Sequence, residues 1–503
     1  MVRSPAAGPA PVAAPPDYFD SLSELASYAA APRPPRSRFA APQVPLAHLA
    51  AQADDSKGRG KLLVCHDYKG GYSERDDERG YTFGWWHLVN TFIYFSHHRV
   101  SCPPAGWIRA AHQGGTKILG TLIFEHGAGR FDIVELVAPS SSGSSTAAPA
   151  FERLSTRYAD SLVDLALERG IDGWLVNVEV ELGGEGATGD QKRAHARALI
   201  AWLRYFSGEM RRRVPGGEVM WYDAVTTDGQ LAWQNALTER NLPFFTACDS
   251  IFLNYWWRGD QLASTAALLD RLGSGRRQDV YFGIDVFGRG TLAGGGFEAW
   301  RAVHKIEQRL GTGAEGSSFS TALFAPGWTV EAESLSHSLS SPEAFARWQT
   351  DDDFLFSRTT PTPSVAPEAA RHDRERREQR GVLRARHLAA QTAPSASPLG
   401  VPHKPLAAFL PAPRPSPAPE ARFYTNFSGG SGFGMFVAGE KVFERGWTDP
   451  AFASPAAALA LHPPGLEGIS AMVVEYDAWE GPRALEVRVE REGDAIGGDA
   501  TAT

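Results

Sequence analysis

Eight short apolar runs, separated by stretches of helical periodicity, constrain this chain more than any other feature. They cover residues 62–66, 91–96, 117–124, 173–179, 219–223, 251–255, 280–286 and 322–328. Most are apolar throughout rather than alternating, which suits strands buried on both faces. Between several of them, apolar residues recur at helical spacing. Leu154, Tyr158, Leu162 and Leu165 form one stripe, closed by Gly170. Leu199, Leu203, Phe206 and Met210 form another, and 261–272 and 297–310 read likewise. Eight buried strands with intervening helices, over roughly 270 residues, match a (β/α)8 TIM barrel in count and size. A doubly wound open sheet usually has fewer strands and a phosphate-binding turn after the first, and no GxGxxG follows 62–66.

A barrel has a positional consequence, because active sites of such barrels lie at the C-terminal ends of the strands. Those ends carry polar and aromatic residues here: His66-Asp67, Ser96-His97-His98, Glu125-His126, Asn177-Val178-Glu179, Tyr222-Asp223, Asn254-Tyr255-Trp256-Trp257, Asp285 and Trp328. The fourth run is the most telling. In Asp172-Gly173-Trp174-Leu175-Val176-Asn177-Val178-Glu179-Val180-Glu181 an apolar strand ends in an amide and two carboxylates. Strand side chains alternate, so Asn177, Glu179 and Glu181 share one face. Burying such groups is costly unless they are used.

The remainder of the chain sets the frame. Residues 1–58 are a Pro/Ala-rich lead-in with a helical patch near residues 18–28, and 59–356 hold the barrel. Residues 357–419 read as a Pro/Ala/Arg-rich linker with a charged run at 371–386. Residues 420–503 contain β-rich segments with Gly-rich turns, such as 422–436, 472–477 and the alternating 484–490. The second domain is therefore expected to be a small β-sandwich segment, incomplete or truncated. A net charge of -8 gives no support for binding nucleic acid through phosphates. No signal-peptide pattern and no run long enough to span a bilayer is read, so membrane attachment is not expected. Cys65, Cys102 and Cys248 are odd in number and far apart, which fits a reducing, cytoplasmic setting better than a disulfide framework. None has metal-ligand spacing, so no metal or other cofactor is expected.

A carboxylic acid at a barrel mouth can protonate a glycosidic oxygen if burial raises its pKa toward neutrality. The competing reading of Glu179 is a carboxylate paired with a neighbouring cation. Asn177 shifts the balance. Ordinary glycosidases use two carboxylates. When the substrate's 2-acetamido group supplies the nucleophile, one acid suffices, and an amide beside it can orient the acetamido by hydrogen bonding. Against the chitinase pattern D-G-x-D-x-D-x-E, Asp172, Gly173 and Glu179 are in place, but Leu175 and Asn177 occupy the middle acidic positions.

That combination resembles glycoside hydrolase family 85, the endo-β-N-acetylglucosaminidases. The resemblance extends along residues 62–330. It includes Leu63-Val64-Cys65-His66-Asp67-Tyr68-Lys69-Gly70-Gly71-Tyr72, Tyr94-Phe95-Ser96-His97-His98, and Leu119-Gly120-Thr121-Leu122-Ile123-Phe124-Glu125. Trp221-Tyr222-Asp223, Trp233-Gln234-Asn235, Phe252-Leu253-Asn254-Tyr255-Trp256 and the segment 283–290 continue in family order, with a weaker match at 423–433. The resemblance implies an enzyme that cuts the β-1,4 bond of the N,N′-diacetylchitobiose core of N-linked oligosaccharides and glycoproteins and leaves one N-acetylglucosamine behind. It implies Glu179 as general acid/base, Asn177 as the guide of the acetamido group, and Tyr222 as an active-site hydrogen-bonding group. Trp233, Trp256, Glu125, His66, Asn254 and Trp328 are the implied substrate contacts. For each Trp, core packing is the rival reading. Glu181 is the reserve candidate for the acid. A chitinase-like hydrolase and a non-catalytic carbohydrate-binding barrel are the alternatives. Family members commonly carry two β-sandwich domains after the barrel, and the segment after this linker is too short for both.

Overall fold

The structure is a computed structural model, which describes residues 16–31, 60–68, 81–137, 155–307, 319–331 and 342–356, with short C-terminal pieces between 406 and 489. The eight expected runs form eight parallel strands. They are β2 (Leu62–His66), β3 (Thr91–Tyr94), β5 (Lys117–Phe124) and β6 (Gly173–Val178), then β7 (Glu218–Tyr222), β8 (Ser250–Leu253), β9 (Val280–Asp285) and β10 (Ser320–Phe324). Two short strands, β1 (Tyr18–Phe19) and β4 (Val100–Ser101), add to the edge of β5. The parallel ladder closes on itself: β10 pairs with β2, and β5 pairs with β6. The fold is thus a (β/α)8 barrel.

Strand alternation divides the core in two. Leu63, Cys65, Ile93, Leu119, Ile123, Leu175, Met220, Phe252, Tyr281 and Ala322 fill the barrel interior. Leu62, Val64, Trp174, Val176, Val178, Trp221 and Ile284 point outward and pack with the helices in a larger cluster. The helical stripes read from sequence lie in Arg157–Arg169, Gly189–Arg213, Gly259–Arg271 and Ala299–Glu307. Gly170 ends the first with φ 78°, a left-handed conformation that costs glycine little. Thr188 and Gln191 start the second with a capping box. Residues 308–310 of the last stripe lie outside the described residues.

The helical patch of the lead-in is Leu22–Ala30, and it is tied to the barrel. Phe19, Leu22 and Leu25 are buried in the outer core, and Tyr18 stacks on His98 at 3.7 Å. The expected linker lies outside the described residues apart from Leu406, which is buried in that same core. Beyond it, antiparallel pairs are formed by Met435–Val437 with Glu440–Phe443 and by Ile469–Val474 with Ala484–Val489. All three cysteines are buried free thiols. No described helix is long and apolar enough to cross a membrane.

The Asp172-Gly173 pair that opens the fourth run is architectural. Asp172 is buried and accepts hydrogen bonds from the Ile118 backbone N–H (2.8 Å) and from His112 Nε2 (2.9 Å). Gly173 lies against β7 so closely that a Cβ there would overlap the carbonyl oxygen of Glu218. Gly173→Ala is therefore expected to destabilise the fold by about 3 kcal/mol or more, because the obstacle is backbone and the barrel is closed. A denaturation midpoint equal to that of the unsubstituted protein would contradict this packing.

Candidate active site

Inward alternation continues past the end of β6. Leu175 faces the barrel interior, and Asn177 and Glu179 follow it on the same face toward the C-terminal mouth. Register with β5 sets their height: Asn177 lies opposite Ile123, and the Glu179 N–H donates to the Phe124 carbonyl at 2.8 Å. Glu179 therefore emerges beside Glu125, the residue that follows β5.

Burial is the main reason the Glu179 carboxyl is pushed up to about 7, and the Glu125 carboxylate adds to the shift. Hydrogen bonds from the Trp233 indole and the Asn177 amide, with the field of His97, oppose it. The result is an acid poised between its two forms near neutrality. Asn177 is 2% exposed, and its Oδ1 has no hydrogen-bond partner among the described residues. Since its amide donor faces Glu179, a buried acceptor is left over beside the acid.

Tyr222 closes the floor of the site. Burial and the Glu179 charge hold its phenolic proton on. Its hydroxyl donates to Asn254 Oδ1 at 3.2 Å. Glu125 Oε2 lies 3.0 Å from His97 Nδ1, and that hydrogen bond raises the His97 pKa. Trp256 is 46% exposed, with its ring 6.0 Å from that of Trp233 and its Nε1–H donating to the Arg289 carbonyl at 2.9 Å. A cleft of about 470 Å³ opens beside the acid, lined by His126, Gly127, Arg130, Glu179, Val180, Glu181 and Leu231.

Glu179, Asn177, Tyr222, Trp233, Glu125 and Asn254 are thus brought together, with Trp256 at the rim. His66 is placed elsewhere. It follows Leu62 and Val64 on the outer face, with its ring 4.6 Å from Tyr81 and stacked on Phe92 at 5.7 Å. Burial drives its pKa down to about 3, so it is neutral. Trp328 begins the helix Trp328–Glu331 and is buried edge-on against Phe297 in the outer core. Glu181 is half exposed and paired with Lys192 at 2.8 Å, which leaves it a surface carboxylate.

Several polar groups at the mouth were not singled out as site residues in the sequence. Asp67 takes the inward face next to His66, and it feels the charges of His97, Arg289, Glu125 and Asp285. Asp285 is fully buried and is gripped by Arg289 through Nε (2.8 Å) and Nη2 (3.0 Å). Tyr255 stacks on Phe324 at 6.1 Å. Strand parity carries the signal for Asp67, two residues beyond the inward Cys65. Among the described residues no group of three or more His, Cys, Asp or Glu could hold a metal ion.

A (β/α)8 barrel whose mouth presents a near-neutral acid next to a buried amide defines the class of this protein. Its sequence places it within that class. The family model described as glycosyl hydrolase family 85 matches residues 66–435, and the chain belongs to that family. It is 39% identical over 281 residues to cytosolic endo-beta-N-acetylglucosaminidase 1 of Arabidopsis thaliana, covering 55% of this chain and 36% of that protein. It is 37% identical over 322 residues to the Homo sapiens cytosolic endo-beta-N-acetylglucosaminidase, covering 62% and 38% respectively. The chain thus spans a little over a third of the length of these curated relatives. Its fold is similar to the crystal structure of the glycoside hydrolase domain of Endo-D from Streptococcus pneumoniae R6. That match has a TM-score of 0.59 at 18% identity and covers 93% of this chain and 65% of that one.

The electrostatics of Glu179 carry a directional prediction. With its carboxyl at about 7, the protonated form is lost as pH rises, so the carboxyl resonance of Glu179 is expected to titrate near that value. The Trp233 indole favours the ionised carboxylate. Trp233→Phe should therefore raise the Glu179 pKa and move its titration to higher pH. An unmoved or acid-shifted titration of that carboxyl by NMR would show that the indole does not bond Glu179.

Proposed function

We propose that this chain is an endo-β-N-acetylglucosaminidase that cleaves the β-1,4 bond of the N,N′-diacetylchitobiose core of N-glycans, with the substrate's own acetamido group as nucleophile. One observation carries the mechanism: the buried Asn177, its amide on Glu179 and its carbonyl oxygen unpartnered. The acetamido N–H of a bound N-acetylglucosamine residue is a fitting donor for that oxygen. Family membership and the names of the relatives support the substrate class.

The acetamido carbonyl oxygen attacks the anomeric carbon while the bond to the leaving oxygen breaks. Protonated Glu179 gives its proton to that oxygen, freeing the N-acetylglucosamine that stays on the protein. Asn177 accepts from the acetamido N–H and disperses the charge of the oxazolinium ion, and the Tyr222 hydroxyl offers a further hydrogen bond at the reacting sugar. Glu179, now a carboxylate, takes a proton from water, which attacks the anomeric carbon and reopens the ring. Two displacements at one carbon retain configuration. An acceptor hydroxyl in place of water gives transglycosylation. The relatives are named cytosolic, and we infer the same compartment for this chain.

A chitinase-like reading lacks both middle acidic positions, which Leu175 and Asn177 occupy, and Leu175 is packed in the barrel interior. Mass spectrometry of a glycopeptide incubated with each variant tests the proposal. Glu179→Gln should reduce glycan release by about a thousandfold, within the range of general acid catalysis. Asn177→Ala should cut hydrolysis of the natural glycan by about a hundredfold, as for other lost groups that stabilise developing charge. Undiminished release by either variant refutes the role given to that residue. Binding of the glycopeptide without any cleavage by the unsubstituted protein would favour a carbohydrate-binding barrel. Cleavage of chitooligosaccharides alone would favour the chitinase reading.

A further inference from the structure

The third residue of the Trp233-Gln234-Asn235 motif has no place in the chemistry above, yet it occupies the junction of two loops at the mouth. Asn235 adopts a left-handed backbone with φ 55°, a conformation uncommon for residues other than glycine but tolerated by Asn and Asp. Its N–H donates to Asp223 Oδ2 at 2.8 Å, and the Gln234 N–H donates to the same oxygen at 3.0 Å. Asn241 Nδ2 donates to the other oxygen at 3.0 Å. The buried Asp223 carboxylate, at the end of β7, thus holds the backbone of the loop that carries Trp233.

The side chain of Asn235 reaches the next loop. Its Oδ1 accepts from Asn254 Nδ2 at 2.8 Å and from the Trp256 backbone N–H at 3.2 Å. Asn254 Oδ1 in turn accepts from the Tyr222 hydroxyl. One carbonyl oxygen therefore connects the loop bearing Trp233, which bonds the acid, to the loop bearing Trp256, and through Asn254 to the orientation of Tyr222. With its amide nitrogen held toward Asn235, Asn254 turns its oxygen toward the Tyr222 hydroxyl.

We propose that Asn235 is a positioning residue, whose side-chain oxygen locks the Trp233 and Trp256 loops in one register and fixes the Tyr222–Asn254 hydrogen bond. It acts through these groups and not on the substrate. The catalytic consequence rests on the function proposed above; the link between the loops does not. A misplacement of about 1 Å at catalytic groups costs on the order of a hundredfold in rate.

Two substitutions separate the oxygen from the backbone. Asn235→Gly permits the left-handed conformation but removes the acceptor; Asn235→Asp permits the conformation and keeps an acceptor in place. On a glycopeptide, N235G should lose kcat by about tenfold to a hundredfold with a smaller change in KM, and N235D should recover most of that loss. Amide hydrogen exchange reads the link directly. In the unsubstituted protein the Trp256 amide should be protected and should open together with the Asn235 amide. In N235G that protection should be lost, and in N235D it should return. N235G with unaltered kcat, or an N235D variant as impaired as N235G, overturns the inference. So does a Trp256 amide that exchanges freely in the unsubstituted protein, a result that requires no variant to fold. If the unsubstituted protein cleaves no glycopeptide, the functional reading falls while the exchange measurements still decide the link.

Discussion

Pairing of Lys117–Phe124 with Gly173–Val178 in the closed barrel sets the height of the acid–amide pair at the mouth. Parallel pairing leaves no freedom to slide, because a shift of one residue would turn Leu175 out of the interior and Trp174 into it. With that register fixed, Asn177 sits opposite Ile123, and Glu179 rises next to Glu125. The raised pKa of Glu179 follows from the same closure. The walls that remove water from its carboxyl are the strands that define the barrel.

Around that acid the protein keeps several buried polar groups tied to one another by hydrogen bonds. Asp223 is also pushed up, to about 6, by burial, even though Asn241 and the backbone of Gln234, Asn235 and Asn254 all donate to it. A carboxylate that collects so many donors at the end of a strand organises the loop that follows. On the far side, Arg289 grips Asp285 and lies over the Phe287 and Phe324 rings. Asp285 is fully buried while the Arg289 side chain is more than half exposed, so the pair satisfies a buried carboxylate from the rim of the mouth. The mouth is thus a set of loops tied by hydrogen bonds to a rigid cylinder, with aromatic faces held at its rim.

Much of this was legible in one dimension. The eight runs became the eight strands with end shifts of a few residues, because strands buried on both faces leave an uninterrupted apolar signature. Alternation put Asn177 and Glu179 on one face without any tertiary information. It also contained an answer that residue type obscured: at the end of β2 the histidine draws attention, but parity gives the inward face to Asp67, while His66 is enclosed by Phe92, Tyr81 and Trp107. The last apolar run extends to Trp328, yet its strand stops at Phe324 and the indole turns into the outer core.

The sequence by itself determined the architecture and the identity of the acid–amide pair. Both depend on local periodicity, which a linear pattern records. Only the tertiary structure decided which other residues share the mouth with that pair. His97, Arg289, Asn235 and Asn254 come from four different loops, and what unites them is the circular order of the strands beneath. Closure brings β10 back to β2 and sets Asp285 and Arg289 within the field felt by Asp67, more than two hundred residues earlier. Burial, not sequence spacing, then raised Glu179 toward neutrality and left Asn177 with an oxygen that the described protein does not satisfy.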